Sequence, residues 1–201
     1  MKRTAILIAA LAGILAGSQA YAQSPGFYLG VSGGAATTDA TSDLAALTLG
    51  VHDDKTPNAY KVYAGRMWND YGIELGYYNL GNYKFLNGFG GPVQDELQTS
   101  AIAVSGVFAK PLGQGYFFSA KVGVAFTLAE YDCKLNCGGT FIDTQRRGNS
   151  GLLGIGVGWQ AASALSLRME YEHIGAVQHA VSSIRFRNAY DLFSIGLQLQ
   201  F

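Results

Sequence analysis

The sequence predicts an all-β chain: an eight-stranded antiparallel up-and-down transmembrane β-barrel preceded by a cleaved signal peptide. Three observations predict it. Apolar residues recur at period two in eight segments, while helical spacing does not persist beyond the first 22 residues. Short and long connections alternate strictly between those segments, as tight turns on one rim and roomy loops on the other require. Finally, the residues opposite the apolar set are small or polar and rich in Gly, where a soluble sandwich would expose Lys and Glu.

In chain order, Lys2 and Arg3 lead into an apolar stretch from about Ala5 to Gly17, followed by small residues at Ala20 and Ala22. A basic start, a short apolar middle and that ending read as a secretory signal at 1–22, cut before Gln23. The stretch is short for a spanning helix, which needs roughly 18 or more apolar residues. The remaining chain, 23–201, has no Pro-, Ser- or charge-rich linker and reads as one domain. Of the 14 basic residues in the full sequence, removing Lys2 and Arg3 leaves 12 against 14 acidic ones, so nothing points to nucleic acid. Abundant Gly (27 residues), Tyr and Phe with only four Pro suit strands.

The first segment, 26–36, opens on an outward Phe27. The second, 58–68, sets Tyr60 and Trp68 on the outer parity and Lys61 on the inner; "ND" at 69–70 turns it into the third, 71–80, with Tyr71 and Tyr77 outward and Glu74 inward. The fourth, 98–110, carries Phe108 outward and reaches the fifth, 115–128, through "PLGQ" at 111–114. In the fifth, Tyr116, Phe118, Ala120, Val122, Val124, Phe126 and Leu128 face one way, and Phe117, Ser119, Lys121, Gly123, Ala125 and Thr127 the other. The sixth, 150–160, opposes Leu153, Ile155, Val157 and Trp159 to Gly154, Gly156, Gly158 and Gln160. "AAS" at 161–163 leads to the seventh, 164–175, with Tyr171 outward and Arg168, Glu170 and Glu172 inward. The eighth, 188–201, alternates Phe193, Ile195, Leu197, Leu199 and Phe201 on its outer face. Each has about the 9 to 11 residues a tilted strand needs to cross a bilayer.

Charge placement agrees with lipid outside. A Lys or Arg facing lipid costs roughly 2 to 4 kcal/mol at the midplane and about 0 to 1 near the interface. Lys61, Glu74, Lys121, Arg168, Glu170 and Glu172 fall on the inner parity, and the outer-parity charges Arg66, Lys110 and Asp191 fall near strand ends. Outward aromatics form two belts: Phe27, Trp68, Tyr71, Phe108, Tyr116, Trp159 and Phe201 on the short-turn side, and Tyr60, Tyr77, Phe126, Tyr171 and Phe193 on the long-loop side. By residue count Glu74 and Arg168 lie at similar depth on opposed strands, with Lys121 and Glu170 slightly higher. A plugged, charge-compensated lumen follows, with Gly30, Gly65, Gly76, Gly123 and Gly156 expected to leave room for the long charged side chains.

"YKVYAGRMWNDYGIELGYYNLG" at 60–81, "LSLRMEYEHIG" at 165–175 and the closing "SIGLQLQF" at 194–201 resemble the small outer-membrane β-barrels of Gram-negative bacteria, the OmpA-like transmembrane domain with its OmpX-like and opacity-type surface-antigen relatives. The resemblance spans essentially all of 23–201 and implies an integral outer-membrane protein in contact with membrane lipid and lipopolysaccharide. It implies that Phe193, Ile195, Leu197, Leu199 and Phe201 act as the carboxy-terminal signal read by the barrel assembly machinery. No peptidoglycan-binding domain is expected after the barrel, so tethering to the cell wall is not carried over.

Cys133 and Cys137, in "CKLNC", are the only cysteines and are expected to form a disulfide on the oxidising export route. Two thiols without a nearby His or further Cys fall short of a metal site. "EHIGAVQHAVSS" at 172–183 brings His173 and His179 near Ser182, Ser183 and Glu172. The tight His-x-Ser spacing of barrel hydrolases acting on lipid A is absent, so no enzyme is expected. "GFGG" at 88–91 has no following helix and gives no support to nucleotide binding. No cofactor is expected, and the chain is expected to be monomeric. The expected function is outer-membrane structure and surface interaction of the adhesion type, with a host or envelope ligand at the loops 37–57, 81–97, 129–149 and 176–187; a small ion-conducting pore is the alternative, and a lipid A-modifying hydrolase a lesser one.

Overall fold

The computed structural model describes residues 26–42, 58–86, 94–132, 144–181 and 184–201. The eight strands are β1 (Gly26–Ser42), β2 (Asn58–Trp68), β3 (Tyr71–Leu86), β4 (Gln94–Gly113), β5 (Tyr116–Asp132), β6 (Thr144–Ala162), β7 (Leu165–Val181) and β8 (Ile184–Gln200). Each pairs antiparallel with its neighbours in sequence, and β1 pairs with β8 to close the barrel. The closing seam is stitched to its end, since the Phe201 amide donates to the Phe27 carbonyl at 2.8 Å.

The ring is staggered. Following partners from Tyr28 through Gly65, Glu74, Ser105, Gly123, Leu152 and Ile174 leads to Tyr190 on β8, yet Tyr28 itself pairs with Gln200, ten residues away. Such a stagger is what tilts the strands and fixes the bore. Short-turn geometry follows from local chemistry. Asn69, at φ 61°, takes the left-handed conformation that Asn tolerates, and the β4–β5 turn stacks Gly113, Gln114 and Gly115 at positive φ.

Seven of the eight strands run further toward the long loops than the sequence pattern indicates. Residues 37–42, 81–86, 94–97, 129–132, 144–149, 176–181 and 184–187, expected as loop, continue the ladder. The reason is physical: beyond the apolar band no face meets lipid, so stretches such as "QDEL" at 94–97 need no alternation, while the backbone still gains from pairing. The connections read as 111–114 and 161–163 are correspondingly shorter, with turns at 114–115 and 163–164.

The polarity is inside out. Large apolar side chains on the outer parity are exposed, among them Val157 at 50 % and Leu197 at 45 %, and both aromatic belts point outward. The lumen is layered. Near the short turns lies an apolar floor of Tyr28, Tyr63, Met67, Val107 and Ala109 with Phe117. Toward the loops lies a roof of Ala36, Leu80, Leu152, Ile174, Tyr190 and Leu192 with smaller neighbours. Large aromatics therefore enter the lumen, where, Phe117 apart, the sequence pattern indicates small or polar residues.

The inward glycines serve those aromatics. A Cβ on Gly30 would lie 2.2 Å from the Tyr63 ring, one on Gly65 would lie 2.3 Å from the Tyr28 ring, and one on Gly76 would meet Tyr78 at 2.8 Å. Gly156 does make room for a charged chain, with the Glu170 Cγ at 3.0 Å, whereas Gly123 is crowded by the backbone of Val104 and Ser105.

Candidate functional site

Between floor and roof, six ionised side chains from four strands meet. β2 supplies Lys61, β3 Glu74 and β5 Lys121, while β7 supplies Arg168, Glu170 and Glu172 at every second position, a spacing that stacks them on the inner face about 7 Å apart. All six are at most 5 % exposed. Small residues also face inward at this level: Ser32, Ser105, Ser119, Gly154, Gly156 and Ser194.

Each carboxylate receives three donors. Glu74 accepts from Lys121 Nζ (2.6 Å), Arg168 Nη1 (3.2 Å) and the Tyr28 hydroxyl (3.0 Å). Glu170 accepts from Lys61 (2.5 Å), Lys121 (2.7 Å) and Arg168 Nη2 (2.6 Å). Glu172 accepts from Lys61 (2.7 Å), Lys121 (3.0 Å) and the Tyr78 hydroxyl (2.9 Å). Arg168 also donates to Gln198 Oε1 at 2.6 Å. The Tyr63 ring stands among the three cations, its centroid 4.8 Å from Lys61 Nζ, 5.0 Å from Arg168 Cζ and 5.6 Å from Lys121 Nζ.

Three positive and three negative charges cancel, and every carboxylate accepts from three donors, while, among the described residues, Arg168 Nε and the Tyr63 hydroxyl are buried without a hydrogen-bond partner. Burial of charge demands pairing of this kind, because without it the desolvation of each ion is not offset. Charges tied to one another on every side suit filling and sealing of the lumen. The structure brings together all six sequence-derived charges. It adds Tyr28, Tyr63, Tyr78 and Gln198, which the sequence reading missed; for Tyr63 and Tyr78 the signal was inner parity shared with Lys61 and Glu74 on their own strands.

The C-terminal residues Phe193, Ile195, Leu197, Leu199 and Phe201 lie on the outer face of the last strand and its terminal residue. At the outer rim, Asp191 Oδ1 accepts from Tyr171 and meets His173 Nδ1, each at 2.7 Å. Partial burial pushes the Asp191 carboxyl up, but the hydrogen bonds from His173 and Tyr171 outweigh it and hold the group below the usual aspartate range. Lys110 is paired with Asp70 at 3.0 Å on the opposite rim. The signal region 1–22, Cys133, Cys137, Ser182 and Ser183, together with the side chain of His179, lie outside the described residues.

The chain matches the OmpA-like transmembrane domain over residues 22–201. It belongs to that family. Among solved structures it is similar to Neisserial surface protein A, at 16 % identity and a TM-score of 0.61, covering 87 % of this chain and 97 % of that one. It is also similar to the outer membrane protein OprG from Pseudomonas aeruginosa, at 15 % identity and a TM-score of 0.55, covering 88 % and 96 %. At these identities the likeness concerns the fold. Comparison with the curated proteins gives no match. The OmpA-like chain is thus an outer-membrane barrel whose eight strands cross the lipid.

Proposed function

We propose that this protein is a closed, non-conducting scaffold of the outer membrane that displays its loops for surface interaction of the adhesion type. One observation carries the reading: among the described residues, the six-charge core is buried between an apolar floor and an apolar roof. With the interior filled, the surfaces left to meet other molecules are the lipid-facing wall and the long-loop rim. That rim stands on strands of up to 20 residues, about twice what a bilayer crossing needs, so the loops are lifted clear of the headgroups.

The reading includes a signal peptide removed before Gln23, a Cys133–Cys137 disulfide in the third long loop, a monomer in contact with lipopolysaccharide, and assembly directed by the aromatic end. It assigns no enzymatic role and no cofactor. Purified protein in planar bilayers tests it: no resolved conductance steps are expected, and steady ohmic channels would establish the pore reading instead. Binding of intact cells to host-type surfaces, with and without the protein, tests the display role; equal binding would remove it. Lipid A of unchanged mass in cells with and without the protein is expected, and loss of an acyl chain would overturn the non-enzymatic assignment.

A further inference from the structure

Arg66 is a charge on the wrong face. It points outward on β2, two residues and about 7 Å along the strand from Trp68 and thus on the lipid side of the periplasmic aromatic belt. Its strand neighbours on that face are apolar, Phe27 across β1 and Ile73 across β3, exposed at 59 % and 51 %. Its guanidinium is held by rings, with Cζ 4.9 Å from the Phe27 centroid and 5.3 Å from that of Trp68. Among the described residues no carboxylate pairs with it. This contrasts with the six lumenal charges and with Lys110, which has Asp70.

A guanidinium placed against hydrocarbon and lacking a protein anion needs another counter-ion. The anion found at this depth of the periplasmic leaflet is the phosphate of a glycerophospholipid. The two rings hold the stem and one part of the guanidinium but satisfy none of its N–H donors, and the planar fork matches two phosphate oxygens. We propose that Arg66, braced by Phe27 and Trp68, is a binding site for the phosphate of one inner-leaflet glycerophospholipid, whose acyl chains lie along Leu29, Ile73 and Leu75. Those three are exposed on the same wall at 47 %, 51 % and 54 %.

The test uses the full mature protein, released from bilayer discs of phosphatidylethanolamine and diacylglycerol with identical chains and weighed intact by native mass spectrometry. Wild type is expected to retain one phosphatidylethanolamine and no diacylglycerol. Retention should fall at least about tenfold in Arg66→Gln, the weight of a charge-assisted hydrogen bond, and less in Arg66→Lys, which keeps charge but not the fork. Lys110→Gln, at the same rim but already paired within the protein, should retain lipid as wild type does. Heat-dependent gel migration establishes that each variant is folded. Equal retention in wild type and Arg66→Gln, or equal retention of diacylglycerol, overturns the site.

Discussion

Replacing Glu74 by Gln turns the neutral lumenal core into one with three cations and two carboxylates. Lys121 keeps Glu170 and Glu172 at 2.7 and 3.0 Å, and Arg168 keeps Glu170 and Gln198, but the 2.6 Å and 3.2 Å contacts to a charged partner are lost at a site 1 % exposed. Breaking a buried pair in this way costs about 3 to 5 kcal/mol. Gln still accepts from the Tyr28 hydroxyl, so Glu74→Gln should sit near the lower figure. Glu74→Ala orphans that hydroxyl, worth about 1 to 3 kcal/mol more. Urea unfolding in lipid vesicles measures it, because Trp68 and Trp159 both face lipid and report its loss by fluorescence. At a slope of about 1 to 3 kcal/mol per molar urea, the Gln variant should unfold at least about 1 M earlier. Adding Lys121→Met restores equal charge, so the double variant should cost less than the two single costs combined, by about 0.5 to 3 kcal/mol. A Gln variant within about 1 kcal/mol of wild type, or strictly additive costs, would refute charge pairing as the organising force of the lumen.

Three further outcomes follow from the geometry. Gly30→Ala forces the Tyr63 ring from its place and should cost about 1 to 3 kcal/mol, whereas Gly33→Ala, with nothing within 4 Å of the new Cβ, should be near neutral in the same urea assay. Ile155→Arg puts a charge on the lipid-facing wall, four residues in from Trp159, and should cost about 2 to 4 kcal/mol at mid-depth; a bilayer-dissolved label should mark Val157 and Leu197 while a water-dissolved one should not. The Asp191 carboxyl is held below its unfolded value, so its contribution is complete above the ordinary aspartate range and lost as pH falls through the depressed native value. Asp191→Asn should therefore differ from wild type in unfolding midpoint at pH 7 and converge with it in strong acid. A gap that persists there would deny the Tyr171–Asp191–His173 clasp its ionic character.

What could be read from sequence was whatever depends on parity alone. Side chains alternate across a strand regardless of partner, so Lys61, Glu74, Lys121, Arg168, Glu170 and Glu172 could be placed inside without knowing which strands adjoin. Counting up from the turns also matched Glu74 with Arg168. The bridging of Lys61 to two carboxylates, and of Lys121 to three, depends on the ten-residue stagger and on the length of each side chain, which no single segment encodes. The tyrosines hid for a different reason. Tyr is common both in belts and in lumens, and only the register showing Tyr63 opposite Gly30 and Tyr28 opposite Gly65 reveals that each ring lies over a missing side chain. The upper strand ends were illegible because backbone pairing outside the bilayer leaves no hydrophobic signature.

A lumen could be filled more cheaply with apolar groups, since replacing a buried ionic cluster by well-packed hydrophobes is often neutral or stabilising by about 1 to 4 kcal/mol. In a barrel already greasy outside, however, an apolar interior would erase the contrast that fixes register. A one-residue slip of β7 moves Arg168 from lumen to lipid at roughly 2 to 4 kcal/mol, with Glu170 and Glu172 adding smaller penalties. The ionic core thus raises the energy of misregistered barrels more than it lowers that of the native one. Replacing all six charges by Leu, Met and Gln of matched volume should leave the urea midpoint of the correctly folded fraction unchanged or higher, while the yield of heat-modifiable barrel on refolding into vesicles falls. If yield is maintained while stability drops by several kcal/mol, the charges serve native stability instead, and the register argument fails.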